Sequence, residues 1–105
     1  VILLSEKRIA VIASGDMSHC LSKKSPADFD PKGKEFDQKI QELLHTRNTL
    51  GITQLDTTLV QQSHQCVYQS ILILLGILKN MDYQFENYCY ESPFGVGYLS
   101  GNFEF

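Results

Sequence analysis

The run Ile9-Ala10-Val11-Ile12-Ala13 passes without a break into Ser14-Gly15-Asp16-Met17-Ser18-His19, so a branched apolar segment ends in small, polar and titratable residues. β-Branched residues in a short run favour a buried strand, and α/β sheets carry their ligands just beyond the carboxyl ends of their strands. The expectation is a strand that delivers Asp16 and His19 to a site. The fold class that follows is α/β, a sheet with helices packed on it.

A chain of 105 residues with 43% hydrophobic and 20% charged residues has the composition of one globular domain, residues 1–105, with a single core. Its formal net charge of -3, with lysine and arginine scattered, lacks the clustered basic surface that tracks phosphates, which argues against nucleic acid as a partner. Cys20, Cys66 and Cys89 are widely spaced and odd in number, unlike a disulfide framework, and fit a reducing cytoplasm. The longest apolar run, Ile71 to Leu78, is far short of the roughly 18 residues of a bilayer span, so no membrane segment is expected. Val1-Ile2-Leu3-Leu4 lacks an initiator methionine and reads as the end of an element that begins upstream, as in the C-terminal portion of a longer domain.

Pro26, Pro31 and Gly33 predict an irregular connection over Cys20 to Lys34, within which Asp30-Pro31 supplies a side-chain cap and a preset φ for a helix running to about Arg47. Phe36, Ile40, Leu43 and Leu44 recur at helical period and form the face expected to pack on the sheet. Asn48 to Gly51 closes this element. A weakly patterned helical stretch follows from Leu55 to about Gln65, and then a helix over Val67 to Leu78, apolar on nearly every side, whose length decides against a strand. Alternating aromatic and polar residues from Tyr83 to Tyr90, the turn Ser92-Pro93-Phe94-Gly95 and the segment Val96 to Phe105 read as a closing antiparallel strand pair, with Gly95 and Gly97 marking a bulge or a close backbone approach.

Two constellations can carry chemistry. Asp16 and His19 at the strand end pair a carboxylate with an imidazole that can act as general acid or base near neutral pH; the alternative is that Asp16 caps the turn and His19 is an ordinary loop histidine. His64, Gln65 and Cys66 precede the apolar helix, and with His19 and Cys20 they could be combined into a nitrogen and sulfur metal site. Their spacing does not enforce one, since structural zinc sites use short paired intervals. Ser18 lacks the flanking glycines of a nucleophile elbow. Tyr88, Tyr90, Phe94 and Tyr98 could line an aromatic pocket, but core filling is the expectation.

Taken in order, Ala13-Ser14-Gly15-Asp16-Met17-Ser18-His19, Phe36-Asp37, Cys66 ahead of Leu72-Ile73-Leu74-Leu75-Gly76, and Pro93-Phe94-Gly95-Val96-Gly97-Tyr98 resemble the class III extradiol ring-cleavage dioxygenase superfamily. The likeness is to the LigB-like and Memo-like members, especially those of the AmmeMemoRadiSam system, whose sequences carry an S-G-D-L-S-H segment and end near G-V-G-Y. It covers essentially the whole chain.

The resemblance implies a C-terminal part of a LigB/Memo-like fold in which His19 lies beside a metal and assists oxygen activation or proton transfer, with Asp16 shaping its loop. It also implies two metal-ligating histidines from an N-terminal half, which neither His45 nor His64 matches. The third ligand falls at Gln65-Cys66, where dioxygenases carry a glutamate and Memo-like proteins a cysteine. A neutral amide at Gln65 suits Fe(II) poorly, whereas a thiolate at Cys66 suits softer metals. The expectations are therefore Fe(II) or another divalent metal in the complete protein and none on this chain alone. An aromatic small-molecule substrate, and either a homo-oligomer or a completing N-terminal half as partner, are expected as well. A degenerate binding or scaffold module is the alternative.

Overall fold

A computed structural model describes residues 10–23 and 29–105, so the expectation for Val1 to Leu4 and the middle of the Pro26 connection lie outside the described residues. Among the described residues four helices, α1 (Pro31–His45), α2 (Thr49–Thr53), α3 (Thr57–Gln62) and α4 (Tyr68–Ile77), precede an antiparallel pair, β1 (Gln84–Glu91) and β2 (Tyr98–Glu104). The architecture is α/β, with helices packed against a terminal strand pair, as the sequence predicts.

The first three helices start where the N-cap side chain accepts from an orphan amide. Asp30 takes Lys32 N–H at 2.9 Å, Asn48 takes Gly51 N–H at 2.8 Å, and Asp56 takes Thr58 N–H at 2.9 Å. In α1 the predicted face is the packed one: Phe36, Ile40 and Leu44 are buried and Leu43 is partly so. This face meets α2, α3 and β1. Gly33 and Asp37 lie buried on the same stripe, the second a carboxylate where an apolar residue would be expected. α4 buries Ile71, Leu74 and Leu75 but exposes Ile73, so it is apolar all round without being enclosed all round.

The strand expected over Ile9 to Ala13 is not formed among the described residues. A strand is defined by its neighbours, and no described backbone hydrogen bond joins residues 10–15 to one; Ile12 is 84% exposed. Pairing begins only later. Met17 N–H donates to Gly97 O at 2.9 Å, Gly97 N–H to Ser18 O at 2.9 Å and Leu21 N–H to Gly95 O at 3.0 Å, which lays the loop alongside the segment between the two strands.

The irregularity in the hairpin sits in β1, not at Gly95 or Gly97. Asn87 faces Gly101 and Cys89 faces Ser100, so Tyr88 is the extra residue of a bulge. One inserted residue reverses the parity of everything beyond it. Phe85 is buried before the bulge, and Tyr90, not Cys89, faces inward after it. The predicted close approach does occur at Gly97, where an added Cβ would lie 2.8 Å from Met17 Cβ and 3.0 Å from the Tyr90 hydroxyl oxygen. Core filling by the four singled-out aromatics is corrected: Tyr88, Phe94 and Tyr98 are exposed and Tyr90 is half-buried, while Tyr83 and Phe85 do the filling.

Candidate metal and proton-transfer site

The loop after residue 13 reaches the start of α4 because Gly15 allows it. Its φ is +157°, and a Cβ there would lie 2.8 Å from Val67 Cα and 3.0 Å from Cys66 O. At that close approach Asp16 and Cys66 bond to each other twice: Cys66 N–H donates to the backbone Asp16 O at 3.1 Å, and Asp16 N–H donates to the side-chain Cys66 Sγ at 3.0 Å. His19, one turn of loop further on, is held by its own N–H to Ser63 O at 3.2 Å.

These contacts bring together one ligand atom each from Asp16, His19 and Cys66, all within 4.8 Å of one another. His19 Nε2 lies 3.3 Å from Asp16 Oδ2, and its Nδ1 is hydrogen-bonded to the carbonyl oxygen of His64. A carbonyl only accepts, so Nδ1 carries the hydrogen and Nε2 is the nitrogen presented to the cluster. The ring is a quarter exposed. It is close enough to solvent to exchange protons and held firmly enough to aim them.

Three residues grouped with this site in the sequence are used differently. Gln65 Oε1 accepts Tyr68 N–H at 2.6 Å, capping the first turn of α4. Cys20 is fully buried, its thiol donating to Ser63 O at 3.3 Å, and burial pushes its pKa up. His64 supplies its backbone oxygen from left-handed φ (53°), while the residue itself is exposed. That conformation follows from its place just past the C-cap Ser63 of α3, where helices commonly turn left-handed.

Sequence reasoning also overlooked the network beneath the loop. Asp37, 1% exposed, accepts Ser18 N–H at 3.0 Å through Oδ1, and through Oδ2 it accepts the Ser18 hydroxyl at 3.1 Å and the Tyr90 hydroxyl. Burial raises the Asp37 pKa against those hydrogen bonds. Burial first, and then the Asp37 bond, raise that of the Tyr90 phenol. The legible signal was a carboxylate in register with Gly33, Ile40 and Leu44 on a buried helical stripe, because such a charge requires partners.

Residues 2–101 match the family described as the catalytic LigB subunit of aromatic ring-opening dioxygenase. The chain belongs to the LigB family. It is also 37% identical over 87 residues to Protein CA_C1420 of Clostridium acetobutylicum, a match that covers 83% of this chain and 19% of that protein. This LigB-family chain therefore spans about a fifth of the length of the curated relative it matches. No helix among its described residues is long and apolar enough to cross a membrane.

The donor set fits a divalent ion. A carboxylate, an imidazole and a sulfur converge from two segments distant in sequence, and the Nδ1 bond to a carbonyl is the outer contact that commonly orients a ligating or metal-adjacent histidine. A harder ion would favour the carboxylate and imidazole, a softer one the thiolate.

Proposed function

We propose that this chain is the C-terminal portion of a LigB-type, metal-dependent oxidoreductase acting in the cytoplasm on an aromatic small molecule. In this reading it contributes one wall of an active site completed by an N-terminal half or by another copy, and alone it is inactive. The convergence of Asp16, His19 and Cys66 carries the reading. Cys66 and Asp16 would hold a divalent ion such as Fe(II), which when bound supplies Lewis acidity toward substrate oxygens.

The chain's own chemistry is proton handling. His19 Nε2 is the position at which a proton is held or released beside the substrate, because Nδ1 is committed to the His64 carbonyl. Asp16 Oδ2, 3.3 Å away, orients that nitrogen. An apolar groove of about 510 Å³ adjoins the loop, lined in part by Gly15, Met17, Val67 and Ile71 but not by Asp16, His19 or Cys66 themselves.

The test is anaerobic Fe(II) loading of the complete protein followed by catechol binding and turnover. His19→Ala is expected to lower turnover by roughly 100-fold or more with metal content retained, whereas Cys66→Ser lowers metal content itself. Failure of the complete protein to take up any divalent metal would reject the proposal.

A second reading, a Memo-like or degenerate binding module, is favoured by one observation: Gln65 stands where dioxygenases of the family resemblance carry an acidic ligand, and its oxygen caps α4. Iron uptake gained only on Gln65→Glu would support this reading over catalysis by the natural sequence.

A further inference from the structure

Beneath the His19 loop, one buried carboxylate joins three parts of the fold. Asp37 on α1 takes two hydrogen bonds from Ser18, the residue immediately before His19, and one from Tyr90 on β1. The backbone of Gly97 closes the same joint by bonding Met17 N–H and Ser18 O. Asp37 and Ser18 are essentially inaccessible, so Asp37 does not reach substrate. Yet a charge at a core position is costly to retain, and an apolar residue would fill the stripe of α1 as well. What a carboxylate does that an apolar side chain cannot is accept the Ser18 amide and hydroxyl at once, fixing both the backbone direction and the side chain one residue from the imidazole.

We infer that Asp37 is a positioning residue, which through Ser18 fixes the place of His19 opposite Asp16 and Cys66, with Tyr90 holding the carboxylate in its orientation. The inference deepens the proposed role of His19 in proton transfer and rests on that role only for its consequence in turnover. The geometric chain is short. If Asp37 is removed, Ser18 N–H and Oγ lose their partners, and the loop retains the Gly97 pair, the Leu21 bond to Gly95, the Asp16–Cys66 bonds and the His19 bonds to Ser63 and His64, none of which fixes the Ser18 amide or side chain. Those leave it attached but free to shift.

Asparagine preserves the geometry, since its oxygen can accept Ser18 N–H while its amide donates to the two hydroxyl oxygens. Alanine does not. With complete protein carrying 13C-labelled histidine, and the His19 ring signal assigned through His19→Gln, Asp37→Ala should displace or broaden that signal at fixed pH. Asp37→Asn should return it to the wild-type position. Tyr90→Phe, which leaves the loop itself untouched, should displace it in the same direction by a smaller amount, and it serves as the test if Asp37→Ala does not fold. A His19 ring signal identical to wild type in folded Asp37→Ala, or in Tyr90→Phe, overturns the inference.

In turnover, Asp37→Ala should lower kcat by roughly 10- to 100-fold with KM little changed, and in a His19→Ala background it should have no additional effect. A full additional loss in that background means that Asp37 acts elsewhere and overturns the inference. Absence of turnover in the wild-type protein would instead count against the enzymatic reading, while the ring signal still decides the positioning role.

Discussion

His64 enters the site through its carbonyl oxygen, and the left-handed backbone that aims this oxygen at His19 Nδ1 is one that an L-residue adopts at a cost. His64→Gly removes the ring but keeps the carbonyl and relieves the positive φ. We therefore expect a stabilisation of about 0.5–1 kcal/mol, net of the greater freedom glycine gives the unfolded chain, read by denaturant unfolding. Metal uptake should stay at the wild-type level, and a loss would mean that the ring takes part after all. At this scale residue type and neighbours singled out Asp16 and His19, whereas Cys66 was pointed to, together with Gln65, only by the family resemblance. The sequence could not show the His64 carbonyl, because the direction of a backbone oxygen depends on how α3 ends. Without that resemblance residue type and spacing do not distinguish Cys20 from Cys66: adjacent to a histidine in one case and two residues from one in the other, they differ in what covers them, and only Cys66 meets the cluster.

Among the elements, α1 was the most legible because its signals are local: Asp30 and Pro31 start it, and Phe36, Ile40 and Leu44 define its packed face. The cap is also consequential for the site, since Gly33 in the first turn packs against Ser18, where an added Cβ would lie 3.0 Å from Oγ. Asp30→Ala should cost about 1 kcal/mol in urea unfolding, with the loss of hydrogen-exchange protection concentrated at Lys32 to Glu35. A loss spread evenly over α1 would contradict a capping origin. α4 was also readable, by length and composition. The apolar run ahead of Asp16 was read as a strand because its residues are strand formers, but propensity does not provide a partner, and its described backbone has none until Asp16 and Met17. The bulge at Tyr88 was invisible for a related reason: inserting one residue in β1 is a property of the pairing, and the glycines that suggested a bulge belong to the connecting segment.

For the molecule as a whole, the joint at Asp37 ties α1, the site loop and the hairpin into one unit, and its electrostatics predict how that unit responds to pH. Burial holds the Asp37 carboxyl above its ordinary value of 3.8, despite the opposing bonds from Tyr90 and Ser18. The folded state therefore binds this proton more tightly than the unfolded chain does. A group of this kind contributes stability that is fully present below its unfolded pKa and is lost as pH rises through its folded pKa. Asparagine keeps the shape without the titration, so the wild type and Asp37→Asn should differ least near pH 3, with the variant becoming relatively more stable as pH rises toward 7, by on the order of 1 kcal/mol. The raised carboxyl of exposed Glu86, which shares a hydrogen bond with Glu104, titrates in both proteins and cancels from the comparison. Thermal unfolding of the pair across that range measures the difference directly. A gap that stays constant with pH would show that the Asp37 proton is bound equally in both states, and a gap that closes on going from acid to neutral would show that the three hydrogen bonds outweigh burial, leaving the joint strongest as a fully ionised carboxylate.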